Sequence, residues 1–234
     1  MMKTFRQDLS KINKRLLEKK PFSFSKYSDG EYAILKSFPI TNCDNWTFSP
    51  ELHKKESKLL LESFTYEHED YHVGIGCPCC NPASMVSWMR DTAKTKNLTW
   101  ANIFVNANYE LFIRETLPIF TNWTGDIFLF ANEQGINNKL PFKTTKYFGV
   151  NMKAWQEPFL SHWIQVGEKK ARESDGALFL FAAGPLGNIL SYKLHKANPS
   201  NTYLDIGSTI SPWIVGKNRD YHFGSQLSQQ TCNW

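Results

Sequence analysis

The chain has 234 residues and a formal net charge of +5, with 41% hydrophobic and 15% aromatic residues. That length supports a substantial hydrophobic core, and that composition excludes a disordered chain. The mild positive balance suits an anionic small ligand and falls short of the dense basic character of a nucleic-acid binder. No apolar run approaches the length of a membrane span, and the opening MMKTFRQDLSKINKRLL lacks the apolar centre of a signal peptide. The expectation is a soluble cytoplasmic protein with a single domain over residues 1–234, in which the Asn-x-Thr triplets at Asn45, Asn97 and Asn122 carry no glycan.

Phe5, Leu9, Ile12 and Leu16 recur at helical spacing, and Pro21 stops that predicted helix. Phe22, Phe24 and Lys26 then alternate with Ser23, Ser25 and Tyr27, the period of an extended strand. Tyr32 to Leu35 read as the first turns of a short buried helix, with Asp29-Gly30-Glu31 at the corner between them. Ser49-Pro50-Glu51 predicts a helix start capped by Ser49, with Leu59, Leu60 and Phe64 on the buried side. A strand is expected over 71–76 and a helix over 82–96 that buries Met85, Met89 and Ala93. The alternation continues with a strand over 100–106, a helix over 109–120 and a strand over 126–131. A long helix over 154–172, a strand over 177–182, a helix over 186–197 and a strand over 202–206 complete it. Such alternation predicts an α/β fold, Rossmann-like, with a mostly parallel sheet of about six strands flanked by helices. Ligands of such sheets sit beyond the carboxyl ends of the strands, so the residues found there are the candidates for a site.

Asp29 and Glu31 flank a glycine whose backbone freedom lets two carboxylates converge, and carboxylates are preferred ligands of Mg2+ and Mn2+. The alternative is a surface turn in which Glu31 opens the helix. Gly184-Pro185 ends the most apolar strand and opens a helix, so it reads either as a phosphate-approaching turn or as a tight structural one. Asp205 lies in an otherwise buried strand and needs a partner, a metal or a ligand hydroxyl there. Arg219, in a glycine-led polar loop with Tyr221 and His222, has the fork that matches phosphate oxygens. Glu133 follows another strand and is either an acceptor-activating base or, with Asn132, a cap. Cys77, Cys79 and Cys80 cluster in GIGCPCCNP, with Cys43 and Cys232 remote. Completion of a zinc site by His72 or Cys43 is conceivable on ligand type, but the paired knuckles of structural sites are missing. The expectation there is a strand end turning through Pro78 and Pro82 with small buried thiols, and no disulfide.

The segment FSFSKYSDGEYAIL, Phe22 to Leu35, resembles the amino-terminal motif of the GT-D fold glycosyltransferases. LFLFAAGPLGNILSYKL, from Leu178, is similar to their strand, Ala-Gly-Pro turn and helix, and YLDIGSTISPWIVGKNRDYH, from Tyr203, to their Asp-Ile-Gly strand and basic loop. The resemblance implies a metal-dependent glycosyltransferase taking a nucleoside-diphosphate sugar, expected to be a UDP-sugar, and a glycan acceptor in polysaccharide biosynthesis. It implies metal on Asp29 and Glu31, and a base at Asp205 or Glu133. It places the donor against Tyr27, Gly30, Gly184, Pro185, Gly207, Ser208, Arg219, Tyr221 and His222, and the acceptor against Asn106, Asn108 and Asn132. The family's acidic residue a few positions after the Asp-Ile-Gly strand is replaced here by Ser211-Pro212, and the arginine of its Ser-Arg turn is missing near Asn106. A Rossmann-type methyltransferase and a non-catalytic nucleotide- or sugar-binding protein are the competing readings, the first poorly served by AAGPLGN as a cofactor loop.

Overall fold

The computed structural model describes residues 5–42 and 45–224. Seven parallel strands form the main sheet: β1 Ser23–Lys26, β4 Tyr71–Ile75, β5 Leu98–Trp100, β6 Ile127–Asn132, β7 Lys146–Val150, β8 Leu178–Ala182 and β9 Thr202–Asp205. Their order is β5-β4-β1-β9-β8-β6-β7, and the intervening β2 Ile40–Thr41 and β3 Thr47–Phe48 pair separately as a small antiparallel hairpin. The α/β expectation therefore holds, with one more strand in the main sheet than the alternation predicts.

A parallel sheet covered on both faces wants strands apolar on both sides. IFLFA of β6 and LFLF of β8 meet that demand and are buried throughout. The alternation in β1 has a different cause from a half-exposed strand, because Ser23 and Ser25 are also fully buried. Their face packs on the helix Pro185–Ala197, where Ser23 Oγ donates to the Ser191 carbonyl at 3.2 Å and Asn188 Nδ2 donates to Ser25 Oγ at 3.2 Å. Buried hydroxyls so paired avoid the cost of desolvation without a partner. That helix also packs against α3 Lys54–Phe64 and the helix Phe159–Arg172. The other face of the sheet receives α1 Phe5–Leu17, whose Phe5, Leu9, Ile12 and Leu16 are buried as their spacing requires.

Five elements depart from expectation, the simplest being the helix expected over 82–96, which spans only Ala83–Thr92. β5 ends at Trp100; Ala101 still donates to the Ile75 carbonyl, but Ile103 N–H turns back to the Trp100 carbonyl, so the apolar run to Val105 is buried by packing and not by pairing. The helix expected over 109–120 contains a π-turn at Phe112–Thr116 just before Pro118, whose ring lacks the donor a regular helix needs. The long helix begins at Phe159 and not at 154, because Pro158 occupies its N-cap and biases the residue before it away from helix. α3 begins at Lys54, four residues late, and Ser49 spends its hydroxyl on Glu51, Oγ to Oε2 2.7 Å, in the preceding turn. No helix among the described residues is long and apolar enough to cross a membrane.

Candidate active site

The connection leaving β8 runs back to β9 beside β1, whereas that leaving β6 runs outwards to β7, so the strand order reverses between them. Open α/β sheets bind ligands outside the carboxyl ends of strands at such a reversal. A cavity of about 550 Å³ lies there, walled by the ends of β1, β6, β8 and β9 and by the loops that follow. Its size is that of a small-molecule site.

β1 delivers Lys26 to the floor, and α2 Asp29–Leu35 starts immediately beyond it. Ser28 N–H donates to Glu31 Oε2 at 2.9 Å, which fixes the Glu31 side chain over the first turn and satisfies a donor at the helix start. Glu31 is buried and Asp29 exposed, and both line the cavity. β9 ends in Asp205, whose carboxylate accepts from Gly207 N–H at 3.0 Å and from Lys26 N–H at 3.2 Å. Gly207 has a left-handed φ of +53°, and a Cβ there would stand 2.7 Å from Lys26 Cε. Glycine at this position thus leaves room for the lysine stem.

These groups set one another's charge. Burial pushes the Asp205 carboxyl up, the Lys26 ammonium pulls it down and Glu31 adds to the rise, leaving it at about 7. Burial works against the Lys26 charge, but Glu31 and Asp205 outweigh it and hold the ammonium above its ordinary value. Lys26 Nζ donates to Ser28 Oγ at 3.3 Å.

The opposite wall is aromatic. Trp46, between β2 and β3, lies over Gly30, where an added Cβ would stand 3.0 Å from the indole, and over Gly184, where one would stand 3.3 Å from Nε1. Gly184 has φ +55° and ψ −141°, a conformation open to glycine alone. Trp155 supports Trp46 edge-on at 5.7 Å between ring centroids, and both line the cavity.

Of the residues expected at the site, Asp29, Gly30, Glu31, Asn106, Asn132, Gly184, Asp205, Gly207, Ser208, Arg219 and Tyr221 line this one cavity. Asn106 does so with a left-handed φ of +56°. Ser208 Oγ and the Tyr221 hydroxyl lie 2.5 Å apart, which ties the C-terminal loop to the end of β9. Five others stand elsewhere. Tyr27 is fully buried and bonds Ser63 Oγ at 2.5 Å, because strand alternation turns it to the face opposite Lys26. Pro185 is buried as the first residue of its helix. Asn108 is buried and donates to the Asn102 carbonyl at 2.8 Å. His222 is buried, with Nδ1 accepting from Asn218 N–H at 3.3 Å and Nε2 3.1 Å from the Ser208 carbonyl, so its ring fastens the loop. Glu133 is exposed beyond β6 and outside the cavity wall. Lys26, Trp46 and Trp155 are among the wall residues that sequence patterns did not single out as site residues. Lys26 was open to discovery, since it ends a strand directly before the acidic corner.

No protein-family model matches the chain, and no curated protein matches it. Solved structures share its fold. One, described as a selenomethionine-substituted domain of unknown function 1792, superposes with a TM-score of 0.63 at 14% identity, over 97% of this chain and 83% of that one. A second, with TM-score 0.61 and 14% identity over the same shares, is described as that highly conserved domain having a distinct glycosyltransferase fold. A third, described as a new glycosyltransferase of this domain type from Streptococcus sanguinis, has TM-score 0.60 and 15% identity over 95% of this chain and 85% of that one. The chain has the fold that these structures define, an α/β glycosyltransferase fold.

Proposed function

We propose that this protein is a metal-dependent glycosyltransferase that moves a sugar from a nucleoside-diphosphate donor to a hydroxyl of a glycan acceptor. The observation that carries the reading is the cavity at the strand-order reversal, where Asp29, Glu31, Lys26, Arg219 and Asp205 meet in a chain with this fold.

The donor set fits a hard divalent cation. Glu31 keeps one carboxylate oxygen free of the Ser28 amide, and Asp29 offers an exposed carboxylate at the same cavity. Two carboxylates, water and diphosphate oxygens are the usual company of Mg2+ or Mn2+. When bound, such an ion stabilises negative charge on a leaving diphosphate. Arg219 lines the cavity and carries the fork that grips phosphate oxygens, while Lys26 supplies a fixed charge from the floor. Trp46 presents an indole wall against which a flat sugar face or base stacks. Asp205, held by two backbone amides, accepts the proton of the acceptor hydroxyl in an inverting reaction. A carboxyl at about 7 suits that task near neutral pH.

Turnover of a panel of nucleotide sugars with and without Mn2+ tests the reading. The expected result is metal-dependent release of nucleoside diphosphate from at least one donor, lost in Asp29→Ala and in Glu31→Ala. Cofactor-free transfer, or equal turnover in all three proteins, would overturn it.

A further inference from the structure

The loop between β4 and α4 Ala83–Thr92 carries three cysteines in four residues, and it lies outside the cavity wall. Cys77 is buried at the strand end, whereas Cys79 and Cys80 are exposed, against the expectation of small buried thiols. Their sulfurs nevertheless face one another. Cys77 Sγ and Cys79 Sγ lie 2.8 Å apart, Cys79 Sγ and Cys80 Sγ 3.9 Å, and all three fall within 4.8 Å. The turn that gathers them is closed by backbone bonds: Cys80 N–H and Asn81 N–H both donate to the Cys77 carbonyl, at 3.2 and 3.0 Å. Asn81 Nδ2 adds a third donor to the same oxygen at 3.2 Å. Gly76 contributes the space, since a Cβ there would stand 2.8 Å from Asn81 Nδ2.

We propose that Cys77, Cys79 and Cys80 form a three-thiolate site for a thiophilic d10 cation, of which Zn2+ is the probe. Zinc bonds thiolate sulfur at about 2.3 Å in tetrahedral array, which places sulfurs about 3.8 Å apart. The Cys79–Cys80 pair already has that spacing. The closer Cys77–Cys79 pair opens by about 1 Å on loading, a movement made at Cys79, which is exposed at the turn. Soft sulfur ligands select Zn2+ or Cu+ over the hard ions that suit the carboxylates of the cavity, so the two sites do not compete for one metal. Each thiol gives up its proton as the sulfur bonds the cation, so loading releases three protons and strengthens as pH rises. The fourth position faces solvent and takes water. His72, a residue of suitable type nearby in sequence, packs edge-on against Phe22 at 5.8 Å and belongs to the sheet.

Co2+ titration of the reduced, chelator-treated full chain tests the site directly. The expected result is a thiolate-to-cobalt charge-transfer band that saturates at one equivalent, is displaced by Zn2+, and is lost in Cys79→Ser/Cys80→Ser. Zinc should also protect Cys79 and Cys80 from alkylation, mapped by mass spectrometry on the intact wild-type chain, a readout that needs no variant to fold. Absence of the band, a band that survives in the double variant, or alkylation unchanged by zinc would each overturn the proposal. These readouts report thiols alone, so this site and the transferase reading can fail separately.

Discussion

The backbone N–H of Lys26 donates to the Asp205 carboxylate at 3.2 Å, joining the last residue of β1 to the last residue of β9 at the floor of the cavity. The lysine side chain and that carboxylate also set each other's charge, with Glu31 as third member. A cation fixed between two strand ends and flanked by carboxylates needs no reorganisation when an anionic ligand arrives, which is the condition for effective electrostatic stabilisation.

Asp205 should reveal itself in pH profiles. Its carboxyl stands at about 7 in the folded chain against 3.8 for the ordinary group. A folded value above the unfolded one means the native state holds a proton that the unfolded state has released. Stability therefore falls as pH rises between those two values and levels off above about 7. Urea unfolding across that range should show the fall in the wild type and its loss in Asp205→Asn. Turnover has the opposite slope, rising through about 7 as the base ionises.

Asp205→Asn should also weaken the fold at low pH by about 1–3 kcal/mol, because the amide nitrogen must face one of two backbone donors. Both donors are identified, Lys26 N–H and Gly207 N–H. Equal stability of wild type and variant below the folded value would show those bonds to be energetically idle.

Gly207→Ala should lower both stability and turnover. The left-handed φ of +53° costs an alanine about 1–2 kcal/mol. The new methyl would stand 2.7 Å from Lys26 Cε and push the ammonium from its place. Urea midpoints measure the first effect, and kcat at saturating donor the second.

The C-terminal loop gives a graded series. Arg219 lines the cavity, while Lys217 is turned over the Phe223 ring with 5.5 Å from Nζ to the centroid. Gly216 has φ +91° and open space about an added Cβ, and on the proposed reading it is the hinge on which the loop would close over a donor diphosphate. Arg219→Lys should weaken nucleoside-diphosphate affinity by losing the fork, Arg219→Ala should weaken it further, and Lys217→Ala should change little. Calorimetric titration ranks them, and equal affinities would make Arg219 a solvated surface charge.

The sheet was legible because β6 and β8 are continuous apolar runs, and the floor of the site because Asp205 sits too deep at the end of β9 to be casual. β7 was not, since KYFGV is an edge strand with exposed Lys146 and partly exposed Tyr147 and Gly149, which weakens any pattern. Tyr27, expected against the donor, is buried while Lys26 lines the cavity, because neighbours at a strand end face opposite sides and only one faces the cavity. Trp46 was beyond reach, because its place over Gly30 and Gly184 is made by tertiary folding of the β2–β3 hairpin and leaves no local periodicity.

The most direct measurement is electron paramagnetic resonance of Mn2+ titrated into the protein with and without a nucleoside diphosphate. Two carboxylates alone hold such an ion weakly, and diphosphate oxygens complete its shell. The expected result is a single immobilised Mn2+ that forms only with the diphosphate present and disappears in Asp29→Ala/Glu31→Ala. A free-ion signal in the wild-type mixture beyond that of the diphosphate alone, or an immobilised signal unchanged in the double variant, would contradict the assignment of this cavity as a metal–diphosphate site.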